Sequence, residues 1–400
     1  MSKNSITTPS SLRGDVFSQV NMLEFLRPLH EKNKNAGFGV CQFAHGVTAA
    51  NGAYLSGVYS PAQNRIYFIP LLQAPLATWH YLDCSTGAVV AYTHGFGTTL
   101  PSQAFSGGTY SPTQNRIYFT PYAISTSPNW YYIDCNTGAV VAYAHGASVS
   151  ANGYLGGTYS PKQNRIYFVP YGQASTSATW HYLDCNTGLV VGYSALVINS
   201  SYYGGVYSPT QNRIYFVPFG IGPTANWQYI NCDTGAVVTY AHGFGTTIPS
   251  QAYTGGVYSP TQNRIYFIPR NARIITSWHY VDCDTGAIVA YAYGVSIPDT
   301  YGGGCYSPLS NRIYMCPIGI SSYATWHYID CNTGAVVPYE HGVTAVVNAY
   351  AGNAVYSPTQ NRMYFTPYAQ AAQTLWHYVQ EYSASENTTA LMSNGIFNKL

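Results

Sequence analysis

Serine, histidine, cysteine, arginine and aspartate are the side chains here that could do chemistry, and each recurs at fixed positions along the chain. A Tyr-Ser-Pro tripeptide places serine at Ser60, Ser111, Ser160, Ser208, Ser259, Ser307 and Ser357. A catalytic triad needs one serine singled out by a base and an orienting acid, so seven equivalent copies point to turn chemistry instead. Histidine forms two series. One follows tryptophan (His80, His181, His279, His327, His377) and the other precedes glycine (His45, His94, His145, His242, His341). A metal ion needs ligands converging to within about 2.1 Å, which copies spread along a repeat do not achieve. Both series are expected to be structural hydrogen-bonders, with no metal and no cofactor. Cys84, Cys135, Cys185, Cys232, Cys283 and Cys331 share one repeat position. Equivalent positions in adjacent repeats lie beyond the ~7 Å reach of a disulfide, so these are expected to be small buried or turn residues. The sequence contains no Gly-x-Ser-x-Gly elbow, P-loop or His-Glu-x-x-His motif. The chain is expected not to be an enzyme.

Arginine and aspartate recur as a pair 18 or 19 residues apart: Arg65 with Asp83, Arg116 with Asp134, Arg165 with Asp184, Arg264 with Asp282, and Arg312 with Asp330. If each arginine starts a strand and each aspartate ends its neighbour, the two are cross-strand partners. They are expected to be a structural clamp. An exposed ion pair contributes only about 0–1 kcal/mol, so burial or contacts to turn carbonyls must add to it. Asn231 and Gln380 take the acidic position in two repeats, so a carboxylate is not indispensable.

The elements that position these residues follow from the repeat. The decapeptide starting at Tyr258 (Tyr-Ser-Pro-Thr-Gln-Asn-Arg-Ile-Tyr-Phe) recurs in close form from Tyr59, Tyr110, Tyr159, Tyr207, Tyr306 and Tyr356, every 48 to 51 residues. Periods of this length mark solenoids, propellers or arrays. Each repeat holds four short stretches rich in β-branched and aromatic residues, separated by Pro-Thr-Gln-Asn and Cys-Asp-Thr-Gly turns. Seven such units predict an all-β, seven-bladed β-propeller of four-stranded antiparallel blades. One tryptophan per repeat (Trp79, Trp130, Trp180, Trp227, Trp278, Trp326, Trp376) is expected to be core between blades.

The seventh repeat lacks its fourth strand after Trp376-His377-Tyr378-Val379, whereas Gly39-Val40-Cys41-Gln42-Phe43-Ala44-His45-Gly46 matches one. Residues 37–46 are therefore predicted to complete the last blade and hide its open edge. This divides the chain into an arm at 1–36, the propeller at 37–382 and a tail at 383–400. Within the arm, Asp15 and an apolar stripe of Val16, Phe17, Val20 and Leu23 predict a short helix that packs on its own domain or grips a partner.

Ser-Pro-x-x-Asn-Arg-Ile-Tyr followed by Tyr-Ile-Asp-Cys-Asn-Thr-Gly-Ala-Val-Val resembles the YVTN-type propeller repeat. Gln-Asn stands where that family has Asp-Gly, and Trp-His or Trp-Tyr is added to the third strand. The resemblance implies a surface or scaffold protein and transfers no catalytic motif.

Composition narrows the partners. Only 8% of residues are charged and the net charge is +2, against about 25% charged in ordinary domains. This leaves no basic footprint for nucleic acid. No apolar run is long enough to insert in a membrane, and the first residues lack a secretion signal. The expectation is a chain made in the cytoplasm. The 41 tyrosines suit packing against other proteins of an assembly, or against glycans.

In an up-and-down blade, the two uniform turns lie on one face and the variable loops on the other. Function on a repeat scaffold concentrates in loops, so partner binding is placed on the variable face. Its candidates are Arg270, Arg273, Phe96, Tyr122, Tyr171, Phe219 and Phe244. Residues 95–119 and 243–267 are almost identical, loop included, which reflects internal duplication or a contact made twice. Three functions follow: a binding platform in a virus particle or surface assembly, a glycan-binding propeller, or a hydrolase with carboxylates converging at the axis.

Overall fold

The computed structural model describes residues 37–198, 202–221, 223–270, 277–295, 297 and 300–382. The expected helix at 15–26 and the tail at 383–400 lie outside them. Seven four-stranded antiparallel sheets make up the described chain, arranged as a seven-bladed propeller. Blade 1 runs outward from Tyr54–Ser60 through Arg65–Pro70 and Thr78–Asp83 to Val89–Thr93. Blades 2 to 6 repeat this order over 105–144, 154–194, 202–241, 253–291 and 301–340. Helix among the described residues is limited to Gly172–Thr176 and a 3-10 turn at Ala369–Ala372, both in loops after second strands.

The second strand forms the core of each blade. In Arg65–Pro70 every residue after the arginine is buried, because both faces of the sheet are covered by neighbouring blades. All seven tryptophans are 0–1% exposed, as expected for core. The first strands line the axis and are rich in glycine, which lets adjacent blades approach closely. A Cβ on Gly352 (φ +67°) would lie 1.6 Å from the carbonyl oxygen of Leu55 in blade 1. The amide of Asn353 fastens the same junction. Its Oδ1 accepts from Gly57 N–H at 2.9 Å, and its Nδ2 donates to Gly57 O at 3.1 Å.

Blade 7 closes as the sequence predicts. Gly37–Ala44 pairs antiparallel with Leu375–Tyr382, from Gly37 opposite Tyr382 to Ala44 opposite Leu375. Phe38 anchors this strand edge-on against Tyr314, Tyr328 and Tyr339 of blade 6, at 5.4, 5.6 and 5.1 Å. Glu381 occupies the position that is cysteine in the other six blades. It is 1% exposed, and its two oxygens accept from Ser307 and Ser310 of blade 6. Burial pushes its carboxyl above the usual carboxylate range, against the opposing hydrogen bonds and the nearby Arg312.

Candidate functional site

The uniform face is a fastening device. In each Pro-x-x-Asn turn the asparagine takes a left-handed φ of 51° to 55° (Asn64, Asn115, Asn164, Asn212, Asn263, Asn311, Asn361). Where the turn carries threonine, that side chain reaches the next blade. Thr261 Oγ1 donates to Asn311 Oδ1 at 2.8 Å and lies 3.2 Å from the Cys331 carbonyl. The repeated cysteines are free thiols buried beneath these turns.

Arg65 and Asp83, Arg116 and Asp134, Arg165 and Asp184, Arg264 and Asp282, and Arg312 and Asp330 are register partners, as the spacing predicts. Their side-chain chemistry differs from an ion pair. All seven guanidinium groups lie over a tyrosine ring of the third strand, from Arg65 on Tyr81 at 4.2 Å to Arg362 on Tyr378 at 4.5 Å. A cation over an aromatic face contributes about 0.5–2 kcal/mol. Each aspartate turns instead to its own hairpin, as Asp134 Oδ1 accepts from Asn136 N–H at 2.8 Å. Asn231 does the same for Asp233 N–H at 2.9 Å. Gln380 of blade 7 instead accepts from Arg362 Nε at 2.6 Å, so an amide serves either contact. Among the described residues the one ion pair is Lys162 with Asp233.

Both histidine series are structural hydrogen-bonders. Nδ1 of His80, His181, His279, His327 and His377 pairs with the hydroxyl of Tyr54, Tyr154, Tyr253, Tyr301 and Tyr350, respectively. Burial lowers each of these imidazoles to about 4. Blade 4 substitutes Gln228, whose Oε1 accepts from Tyr202. Blade 2 replaces both partners, with Phe105 and Tyr131 packed at 5.8 Å. The second series stacks on tryptophan, for example His94 on Trp79 at 4.0 Å, and its Nε2 meets the Leu76 carbonyl at 2.8 Å.

On the variable face, the residues after the second-strand prolines are Leu71, Tyr122, Tyr171, Phe219, Arg270, Ile318 and Tyr368. Several of them gather at the mouth of the axial channel, around its lining residue Tyr203. Four predicted candidates therefore come together. Tyr122 and Tyr171 are 6.1 Å apart, and the Arg270 guanidinium lies 5.1 Å from the Phe219 ring. Tyr203, which the sequence reading missed, packs on Phe219 at 5.5 Å. Burial pushes its hydroxyl up to about 12, with Arg270 pulling the other way and Tyr368 and Tyr122 also acting on it. Tyr203, a lining residue of the channel, is thus within electrostatic reach of groups from blades 2, 5, 6 and 7. Its signal in the sequence is its place one residue into the innermost strand, where blades 1 and 3 have Leu55 and Leu155.

Phe96 and Phe244 do not join the mouth. They sit in the loops between blades 1 and 2 and between blades 4 and 5, packed edge-on against Tyr131 at 4.9 Å and His279 at 4.5 Å. Their side chains are half-buried anchors of the two near-identical loops. Each loop abuts a post-proline residue, since Gln103 N–H donates to Leu71 O at 2.9 Å and Gln251 N–H to Phe219 O at 2.7 Å. Arg273 lies outside the described residues.

Below the mouth the axial channel encloses about 450 Å³, and none of its lining residues is charged. The converging carboxylates that a hydrolase would need are not among them. The described residues hold no cluster of three or more metal-ligating side chains. No helix among them is long and apolar enough to cross a membrane.

One solved structure that the chain resembles is titled "Crystal Structure of Mitotic Checkpoint Complex". The TM-score is 0.55 at 12% identity, over 86% of this chain and 91% of that one. At that identity the likeness shows the fold alone. No family model and no curated protein matches the sequence.

Proposed function

We propose that this protein is a non-enzymatic interaction platform, binding other proteins of a larger assembly through its variable face. The observation that carries this reading is an asymmetry between the two faces. Among the described residues, five of the six exposed large hydrophobic side chains lie on variable-face loops: Leu76, Leu196, Val197, Tyr323 and Val347, with Leu189 on the other face. The seven strand-starting arginines, the turn aspartates and Lys162 belong to the uniform face, while Arg270 and Glu340 are the described charges on the variable one. Protein interfaces enrich aromatic residues and arginine at their centres and deplete other charges, which is the composition of the mouth. A neutral, tyrosine-rich surface of this kind fits a component of a virus particle or surface structure. The YVTN-like repeat points the same way through its scaffold relatives. A glycan reading keeps only the half-exposed Tyr122 and Tyr171, because the seven tryptophans are buried and cannot stack on a sugar.

The test is to purify the native protein with whatever binds it, then compare two variants. Tyr122→Ala with Tyr171→Ala should release the partner, while Lys162→Ala on the uniform face should retain it. A partner lost only with Lys162→Ala would move the site to the other face, and a native protein free of partners would sink the reading.

A further inference from the structure

Arg270 is the one charged residue in a position that six other blades fill with Leu71, Tyr122, Tyr171, Phe219, Ile318 and Tyr368. The fold does not need a cation there. Its guanidinium rests on the Phe219 ring at 5.1 Å, with Tyr203 packed on the same ring at 5.5 Å. A guanidinium lying on an aromatic face keeps its in-plane N–H donors directed outward, suited to a carboxylate.

Among the described residues no carboxylate pairs with Arg270. The described aspartates occupy the uniform-face hairpins, Glu381 is sealed between blades 6 and 7, and Glu340 ends the outermost strand of blade 6. Among the described residues Arg270 is thus a cation without a carboxylate facing it, and its donors are open to one from a partner. Tyr122 and Tyr171 continue the surface away from Arg270 as an uncharged aromatic shelf.

We propose that the mouth between blades 2 and 5 takes an acidic peptide segment, one carboxylate side chain flanked by aromatic or large apolar residues. Arg270, seated on the buried Phe219 ring, receives the carboxylate, and the half-exposed Tyr122 and Tyr171 cover the flanks. This rests on the variable face being the binding face and adds the chemistry of what is bound. With so few charges on this face, Arg270 acts as a single point of register for an otherwise apolar contact.

The experiment titrates the full chain with two capped tripeptides, acetyl-Phe-Asp-Phe-amide and acetyl-Phe-Asn-Phe-amide, at millimolar concentration by saturation-transfer NMR. The Asp peptide should bind roughly tenfold more tightly, the size of one charge-assisted contact. That preference should shrink as salt is raised. Arg270→Gln should abolish it, and Lys162→Ala should leave it intact. Equal affinity for both peptides, binding of neither, or a preference that survives Arg270→Gln overturns the proposal. If either peptide is displaced by Tyr122→Ala without any carboxylate preference, the variable face stands as the platform and only the role of Arg270 fails.

Discussion

Cysteine shows how burial alone sets reactivity at the scale of one residue. Eight of the nine thiols are buried and Cys41 is half-exposed. Burial pushes Cys135, Cys185, Cys283 and Cys331 up to about 12, and Cys84 and Cys232 up to about 11. The thiolate is the reactive form. A thiol reagent should therefore modify Cys41 in the native protein and reach the other eight only on unfolding, as mass spectrometry before and after denaturation would read. Glycine gives a second residue-scale contrast. Gly352→Ala drives a Cβ into Leu55 O and should cost more than about 4 kcal/mol. Gly204→Ala meets nothing within 4 Å and carries only the strain of φ +81°, about 1–2 kcal/mol. Similar losses in two denaturation curves would contradict the close approach of blades 7 and 1.

The strand Gly37–Ala44 is where the fold is most exposed to a single lesion at the scale of the element. Removing it strips the hydrogen-bonding edge of Leu375–Tyr382 and takes Phe38 out of the junction with blade 6. Deleting residues 1–44 should lower the melting temperature and promote association through the bare edge. An unchanged melting point and a monomeric elution would refute the closure. This closure was legible because Gly39 to Gly46 matches the fourth strand that the last repeat lacks. The chemistry of the Arg–Asp clamp was less legible. Spacing fixes which residues are neighbours across two strands, but not which way each side chain turns. Arginine chooses tyrosine and aspartate chooses its own hairpin because both contacts are short and local.

Repetition multiplies small terms across the whole molecule. His80, His181, His279, His327 and His377 are held at about 4 by burial, against about 6.5 when unfolded. Between those values the unfolded chain binds more protons, so stability is complete above pH 6.5 and is lost as pH falls towards 4. Each histidine contributes up to about 1.4 kcal/mol per pH unit. Glu381 acts in the opposite sense, since its raised carboxyl favours folding at low pH and that advantage is lost as pH rises through its folded value. Melting temperatures should fall steeply from pH 6.5 to 4.5. His279→Gln, which copies the natural Tyr202–Gln228 pair of blade 4, should make that fall shallower. A pH-independent melting point in the native chain would contradict neutral, buried imidazoles.

The amino-acid sequence by itself determined the seven blades, their four strands, the buried tryptophans and the closing strand. A period near fifty residues with short β-rich stretches has few other ways to bury its apolar side chains. It also named Tyr122, Tyr171, Phe219 and Arg270, but together with Phe96 and Phe244, which look equivalent as loop aromatics. Only the tertiary structure separated them. A ring brings Arg270, Phe219, Tyr122 and Tyr171 together around the axis, and it turns the inter-blade phenylalanines down onto the blades that follow them. Tyr203 became visible for the same reason. Its place at the axis, within reach of several other blades, is a property of closure into a circle, which spacing along a single repeat does not contain.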